Sequence, residues 1–273
     1  MNASETTVPP LPPVAPNSGH AFGGILRLTF RRFRAPSQWA PFLIALGVLA
    51  LLASAVIRDG NTRQYFRWAS EFYLTFLVPL MAFVSGGGAF RDELKSGAVD
   101  YILTRPVRRP AFLVFKFLSH LACVQVQFLL GLAVMIGVGY YRHIPGVWPV
   151  VPWLLLGQVL IVTAFSSFGL LCGVFTSRYI IIGLFYGGIV ELGIGNIPIA
   201  LNRLSLTHQV KAMLQPFLPQ VPAVPVPVSL PVVVAPDPLA VTGFFLGYAV
   251  VMLAVAAAVF SLQELAGAKP SEG

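Results

Sequence analysis

The most polar stretch of the chain runs from Phe90 to Pro110 and holds Asp92, Glu93, Asp100, Arg105, Pro106 and Arg109, with Lys116 just beyond. It contains three of the ten acidic residues and, counting Lys116, six of the eighteen basic ones. Carboxylates and guanidinium groups alternating around a proline turn make charge-assisted hydrogen bonds with another protein's surface. A plain connection between two helices needs only a few residues. About twenty residues of dense charge therefore predict a docking surface for a soluble partner, the competing reading being a solvated charged loop.

The remaining chemistry-bearing residues are scattered. Glu191 is the one acidic residue set well inside an apolar run, and an ionisable group there is a functional candidate by default. Two roles stand side by side: fixing or gating helix packing, or meeting a substrate or a proton. His120, followed by Gln125 and Gln127, has no Cys, Asp or Glu at ligand spacing, so interhelical hydrogen bonding is expected of it rather than metal binding. Cys123 and Cys172 fall in apolar runs outside any CxxC spacing and are read as small buried apolar side chains. Ser85 precedes a glycine run, with no histidine assignable as its base. A GxxxxGK loop followed by Ser or Thr is absent, as are HExxH, GxSxG and paired intramembrane carboxylates. The chain is expected to be non-catalytic and to carry no metal or cofactor.

What positions these residues is a set of membrane helices. The chain is 56% hydrophobic and 10% charged, against about 25% charged for soluble domains. Its apolar residues come in blocks near the ~20 residues that cross a bilayer. Six spans are predicted, at 39–57, 70–90, 112–140, 152–175, 179–198 and 238–262, the third tilted or extended into water. The fold class is therefore all-α integral membrane protein. The net charge of +8 is attributed to basic loops facing anionic lipid, not to nucleic-acid binding.

Residues 1–20 carry Pro9, Pro10, Pro12, Pro13 and Pro16 and are expected to be a disordered tail, and 266–273 form a C-terminal tail. Residues 21–35 put Phe22, Ile25, Leu26, Phe30 and Phe33 on one helical face and Arg27, Arg31 and Arg34 opposite, the pattern of an amphipathic interfacial helix; a basic stretch with no fixed helix is the alternative. Lys and Arg divide twelve to six across the loops when both termini are cytoplasmic, which sets the orientation. Lys116 is expected to snorkel to the inner interface. Trp68, Trp148 and Trp153 mark the outer interface and Trp39 the inner one. Residues 199–237 form the largest outer loop, and its Pro- and Val-rich half is expected to be extended, because proline cannot complete a helix in lipid. Three GxxxG pairs, Gly169/Gly173, Gly183/Gly187 and Gly243/Gly247, suit either internal packing or a dimer interface.

In the order of its residues the polar loop resembles the coupling loop of type-2 permeases of ATP-binding-cassette (ABC) exporters. Glu93, Gly97, Asp100, Tyr101-Ile102-Leu103, Pro106-Val107, Arg109 and Lys116 follow that order, with Ala98 where the family often has Thr. Glu191, Ile197-Pro198 and Leu204-Ser205-Leu206-Thr207-His208 are similar to the end of the family's fifth span and the loop beyond. The likeness covers roughly 21–265. It implies a six-span permease domain with a coupling loop at 91–111, a partner ATPase that binds ATP and Mg, and a second permease copy or homologue. Asp92, Glu93, Asp100, Arg105, Pro106 and Arg109 would meet the ATPase, with a smaller contact at Thr176-Ser177-Arg178. The membrane would be the cell (inner) membrane, and the outer loop would suit an extracytoplasmic partner. The competing function is an ATP-independent carrier or channel, for which related halves would be expected; none is visible.

Overall fold

The computed structural model describes residues 18–34, 36–95, 109–193, 205–218 and 236–267. Residues 1–17 and 268–273, which make up most of the predicted tails at 1–20 and 266–273, the middle of the polar loop at 96–108, and the Pro-rich stretch at 219–235 lie outside the described residues. Those described form helices and turns, with no strand among them. The helices are α1 (Ser18–Phe33), α2 (Pro36–Val56), α3 (Thr62–Arg67), α4 (Val78–Lys95), α5 (Arg109–Tyr141), α6 (Val147–Phe175), α7 (Tyr179–Tyr186), α8 (Leu206–Leu214) and α9 (Pro238–Gly267). Two wide π-helical stretches continue them: π1 (Trp68–Leu77) joins α3 to α4, and π2 (Gly187–Gly193) extends α7.

Four stretches are long and apolar enough to cross a bilayer: Thr62–Ala89, Pro110–Tyr141, Val147–Phe175 and Pro238–Leu262. Two apolar helices are shorter, Phe42–Val56 and Tyr179–Glu191. The second expected span starts at Thr62 rather than 70, because Asn61 caps the helix there by accepting from the Gln64 amide at 3.0 Å. Helix α8 falls inside the expected outer loop. Its cue is a Ser N-cap ahead of Leu206, Val210, Met213 and Leu214, all buried and all on one helical face.

Helix α6 is the centre of the bundle: 67% of its apolar window is buried, against 22% for α9. Its most extensive partner is α4, and the two meet backbone to backbone. A Cβ on Gly169 would strike the Phe83 carbonyl, one on Gly86 the Ser166 backbone, and one on Gly173 would lie 2.5 Å from the Gly87 carbonyl oxygen. Close approach of this kind replaces the hydrophobic drive that lipid removes. The Gly169/Gly173 pair is thus internal packing. Gly183 faces the Phe83 ring, whereas Gly187, Gly243 and Gly247 have open space where a Cβ would go.

The two ends of the bundle are built differently. At one, Phe112, Leu113 and Phe117 of α5, Leu170 and Val174 of α6, and Ala256 and Phe260 of α9 form a compact cluster, with Ile25 of α1 against it. At the other, Arg142 closes the turn between α5 and α6. It donates to Asp59 at 2.9 Å and to the Ser54 carbonyl, and its own carbonyl accepts from the Gly60 amide at 2.9 Å. Gly146, at φ 75°, starts α6 in a conformation that favours glycine.

Candidate functional site

The first end gathers the described candidates of the polar loop. The backbones of Asp92 and Glu93 lie near the end of α4, and that of Arg109 opens α5. Asp100, Arg105 and Pro106 lie outside the described residues. Next to them in sequence, Arg91 donates from Nε to the Thr176 carbonyl at 3.4 Å. That contact ties the end of α4 to the turn between α6 and α7, the second segment singled out from sequence. Just above it, Gly87 packs on the ring of Tyr179, where any Cβ would clash. The α4 end, the 176–178 turn and the start of α7 are therefore one packed unit.

Two polar residues of α5 meet partners on other helices. Lys116 is 4% exposed, and its ammonium donates to Thr29 Oγ1 of α1 at 3.3 Å. Helix α1 packs over that end of α5, with Phe22 edge-on to Phe115 at 5.3 Å, so the ammonium meets a hydroxyl rather than water. His120 makes the interhelical hydrogen bond expected of it, and the partner is Ser85, with Oγ 3.2 Å from Nε2. Sequence reasoning assigned Ser85 no histidine, because the two lie 35 positions apart on different helices. The charged neighbour of this pair is Lys116, and no cluster of three His, Cys, Asp or Glu side chains occurs among the described residues.

Glu191 sits in π2 and is buried, 8% exposed. Its Oε2 accepts from Ser205 Oγ at 2.6 Å, Thr207 Oγ1 at 2.6 Å and the Thr207 amide at 3.1 Å; its Oε1 accepts from the Leu206 amide at 3.2 Å. These amides open α8, where the helix itself supplies no acceptor and the dipole favours an anion. Ser205 also accepts from the His208 amide at 3.1 Å, so it caps α8 while donating to Glu191. Tyr186 and Tyr248 of α9 lie near Glu191. Tyr186 and Glu191 are five residues apart, a spacing that a π-helical turn brings onto one face. The carboxylate thus joins π2 to the start of α8. The family-like residues at 191 and 205–207 meet here.

Beside Glu191 a cavity of about 270 Å³ opens between π1/α4 and α7/π2, lined by Thr75, Phe76, Pro79, Phe165 and Tyr186 among others. Deeper in, Tyr73 donates to Gln158 Oε1 at 2.6 Å, linking π1 to α6. Neither tyrosine was picked out from sequence, because an aromatic residue in an apolar run gives no sign of which one carries a hydrogen bond.

Long apolar helices, backbone-to-backbone glycine contacts and buried polar side chains bonded to one another and to the backbone define an all-α, multi-pass membrane protein. Residues 41–265 match the family described as ABC-2 family transporter protein, and the chain belongs to that family, as a transmembrane permease of ABC type. The matched stretch runs from α2 into α9 and leaves α1 outside. No curated protein matches the chain.

Proposed function

We propose that the chain is the permease subunit of an ABC transporter, driven by a separate ATPase that binds ATP and Mg, and that substrate export or mechanical work follows from motion of its helices. In this reading there are six spans. α2, taken whole over Pro36–Val56, is about 31 Å long at 1.5 Å per residue, enough for the hydrocarbon core. α7 with π2 forms the fifth span together with the residues that follow. Both termini are cytoplasmic in the inner membrane, the Arg91 end is the cytoplasmic end, and α1 lies in the interface. Two permease copies, or one copy and a homologue, complete the membrane unit. The Pro-rich loop faces outward, toward an extracytoplasmic partner.

The observation that carries the coupling route is the Arg91–Thr176 contact. Asp92, Glu93, Asp100, Arg105, Pro106 and Arg109 supply the docking surface for the ATPase. A push on that surface reaches α4 and, through Thr176, α7. These two helices flank the cavity beside Glu191, so a displacement at one end changes the width of a path at the other, by rigid shear of packed helices. The family match supports an ABC permease in general.

The test is to purify the tagged chain in mild detergent from its own cells and identify what accompanies it. A soluble chain bearing a Walker motif should co-purify, and Glu93→Lys or Arg109→Glu should release it. Isolation of the chain alone, with both variants silent in transport, would overturn the reading.

A further inference from the structure

Helix α1 is held on one side and open on the other. Its inner side is fixed to α5 through Phe22 on Phe115 and Thr29 under Lys116. Its outer side carries Arg27, Arg31 and Arg34, spaced so that successive guanidinium groups stand one turn apart. All three are exposed, and no ion pair to a carboxylate is formed by any of them among the described residues. The helix contains no Asp or Glu. Between the arginines, Leu28 and Phe30 are 47% and 40% exposed. Gly24, Arg27, Leu28, Phe30, Arg31 and Arg34 line an open cleft of about 540 Å³.

Guanidinium groups alternating with exposed apolar side chains call for a ligand that is anionic at one end and greasy at the other. Position says the same. From Phe30 a chain of edge-on rings runs through Phe33 and Trp39 to Phe42, with centroids 6.3, 5.2 and 5.7 Å apart. It leads from the arginine face to the foot of α2. Trp at the end of an apolar helix marks headgroup depth. Arg forks match phosphate oxygens bidentately, and Lys116 behind α1 adds positive charge to the same region.

We infer that the α1 cleft is a binding site for an anionic glycerophospholipid, its phosphate bridged by Arg27 and Arg31 with Arg34 alongside, and its acyl chains against Leu28 and Phe30. The site lies outside the family-matched residues and does not depend on an ATPase partner.

The experiment uses the full purified chain in neutral detergent, titrated with phosphatidylglycerol or phosphatidylcholine and read by native mass spectrometry and by thermal unfolding. Phosphatidylglycerol should give a saturable adduct and raise the melting temperature; phosphatidylcholine should do neither. Arg27→Gln/Arg31→Gln/Arg34→Gln should weaken phosphatidylglycerol binding about a hundredfold, from the contribution of each basic residue near anionic lipid. The single variant Arg31→Gln, which keeps more of the charge should the triple variant fold poorly, should weaken it about fivefold. Arg58→Gln/Arg63→Gln, at the opposite end, should leave it unchanged. Equal binding of phosphatidylcholine would overturn the inference. So would equal stabilisation by free glycerol phosphate, or an adduct that survives in Arg31→Gln with undiminished affinity.

Discussion

Thr207 donates twice to one oxygen of Glu191, from its hydroxyl at 2.6 Å and from its main-chain nitrogen at 3.1 Å. With Ser205 on the same oxygen and Leu206 on the other, the carboxylate holds the first turn of α8. Its acceptor capacity is largely used by the protein, which favours the packing role over the substrate or proton role left open by sequence.

Glu191→Ala should therefore destabilise the chain. It strips buried donors of their acceptor, at a cost of about 1–3 kcal/mol for each group left unmade. Thermal unfolding in detergent should show the loss, and limited proteolysis should cut near 205–218 first. Glu191→Gln keeps one acceptor oxygen and should lose less. In a double-mutant cycle with Thr207→Val the coupling should fall at about 0.5–3 kcal/mol. Additive effects would mean that the two side chains do not act together.

The glycine contacts yield a second expectation. Gly173→Leu would drive a side chain into the Gly87 backbone, which cannot yield as a side chain can. Overpacking costs about 1–3 kcal/mol even where neighbours relax, so this variant should be poorly recovered from the membrane. Gly243→Leu and Gly247→Leu have open space in the monomer and should leave its thermal stability unchanged. Comparing the recovery of folded chain after detergent extraction separates the two.

The apolar helices were legible in sequence because lipid leaves the backbone few alternatives: a long apolar run must satisfy its own amides and becomes a helix. The contact between Glu191 and Thr207 was not. Both segments stood out by residue order, but nothing in a one-dimensional pattern brings a residue in π2 against an N-cap 14 positions later. Helix α8 was hidden for a related reason. Nine residues inside a polar, proline-bearing loop are too few to raise average hydropathy, and only the Ser205 cap and the 206/210/213/214 spacing betray it. Ser85 and His120 meet only because α4 and α5 pack at that register.

Arg142 and Asp59 form an ion pair of unequal partners. The Asp59 side chain is 70% exposed and that of Arg142 25%, so the pair itself contributes about 0–1 kcal/mol. Asp59→Asn should be nearly silent in thermal unfolding. Arg142→Met also removes the donor to the Ser54 carbonyl and should cost about 1–3 kcal/mol. Equal effects of the two substitutions would show that the carbonyl contact contributes nothing.

Arg91 offers the sharpest test of the coupling route. Its contact with Thr176 is one long hydrogen bond of 3.4 Å at a part-buried site, so Arg91→Met should cost no more than about 1 kcal/mol of stability. The folded bundle and the docking surface at 92–109 should survive. If force passes from α4 to α7 through this contact, the variant should still co-purify with its ATPase and support ATP hydrolysis, while transport in reconstituted vesicles falls severalfold. Arg91→Lys restores the charge but not the Nε geometry and should recover little. Transport equal to wild type in Arg91→Met, at equal ATPase occupancy, would remove the Arg91–Thr176 bridge from the route and leave the packing of Gly87 on Tyr179 and of Gly183 on Phe83 to link the two helices.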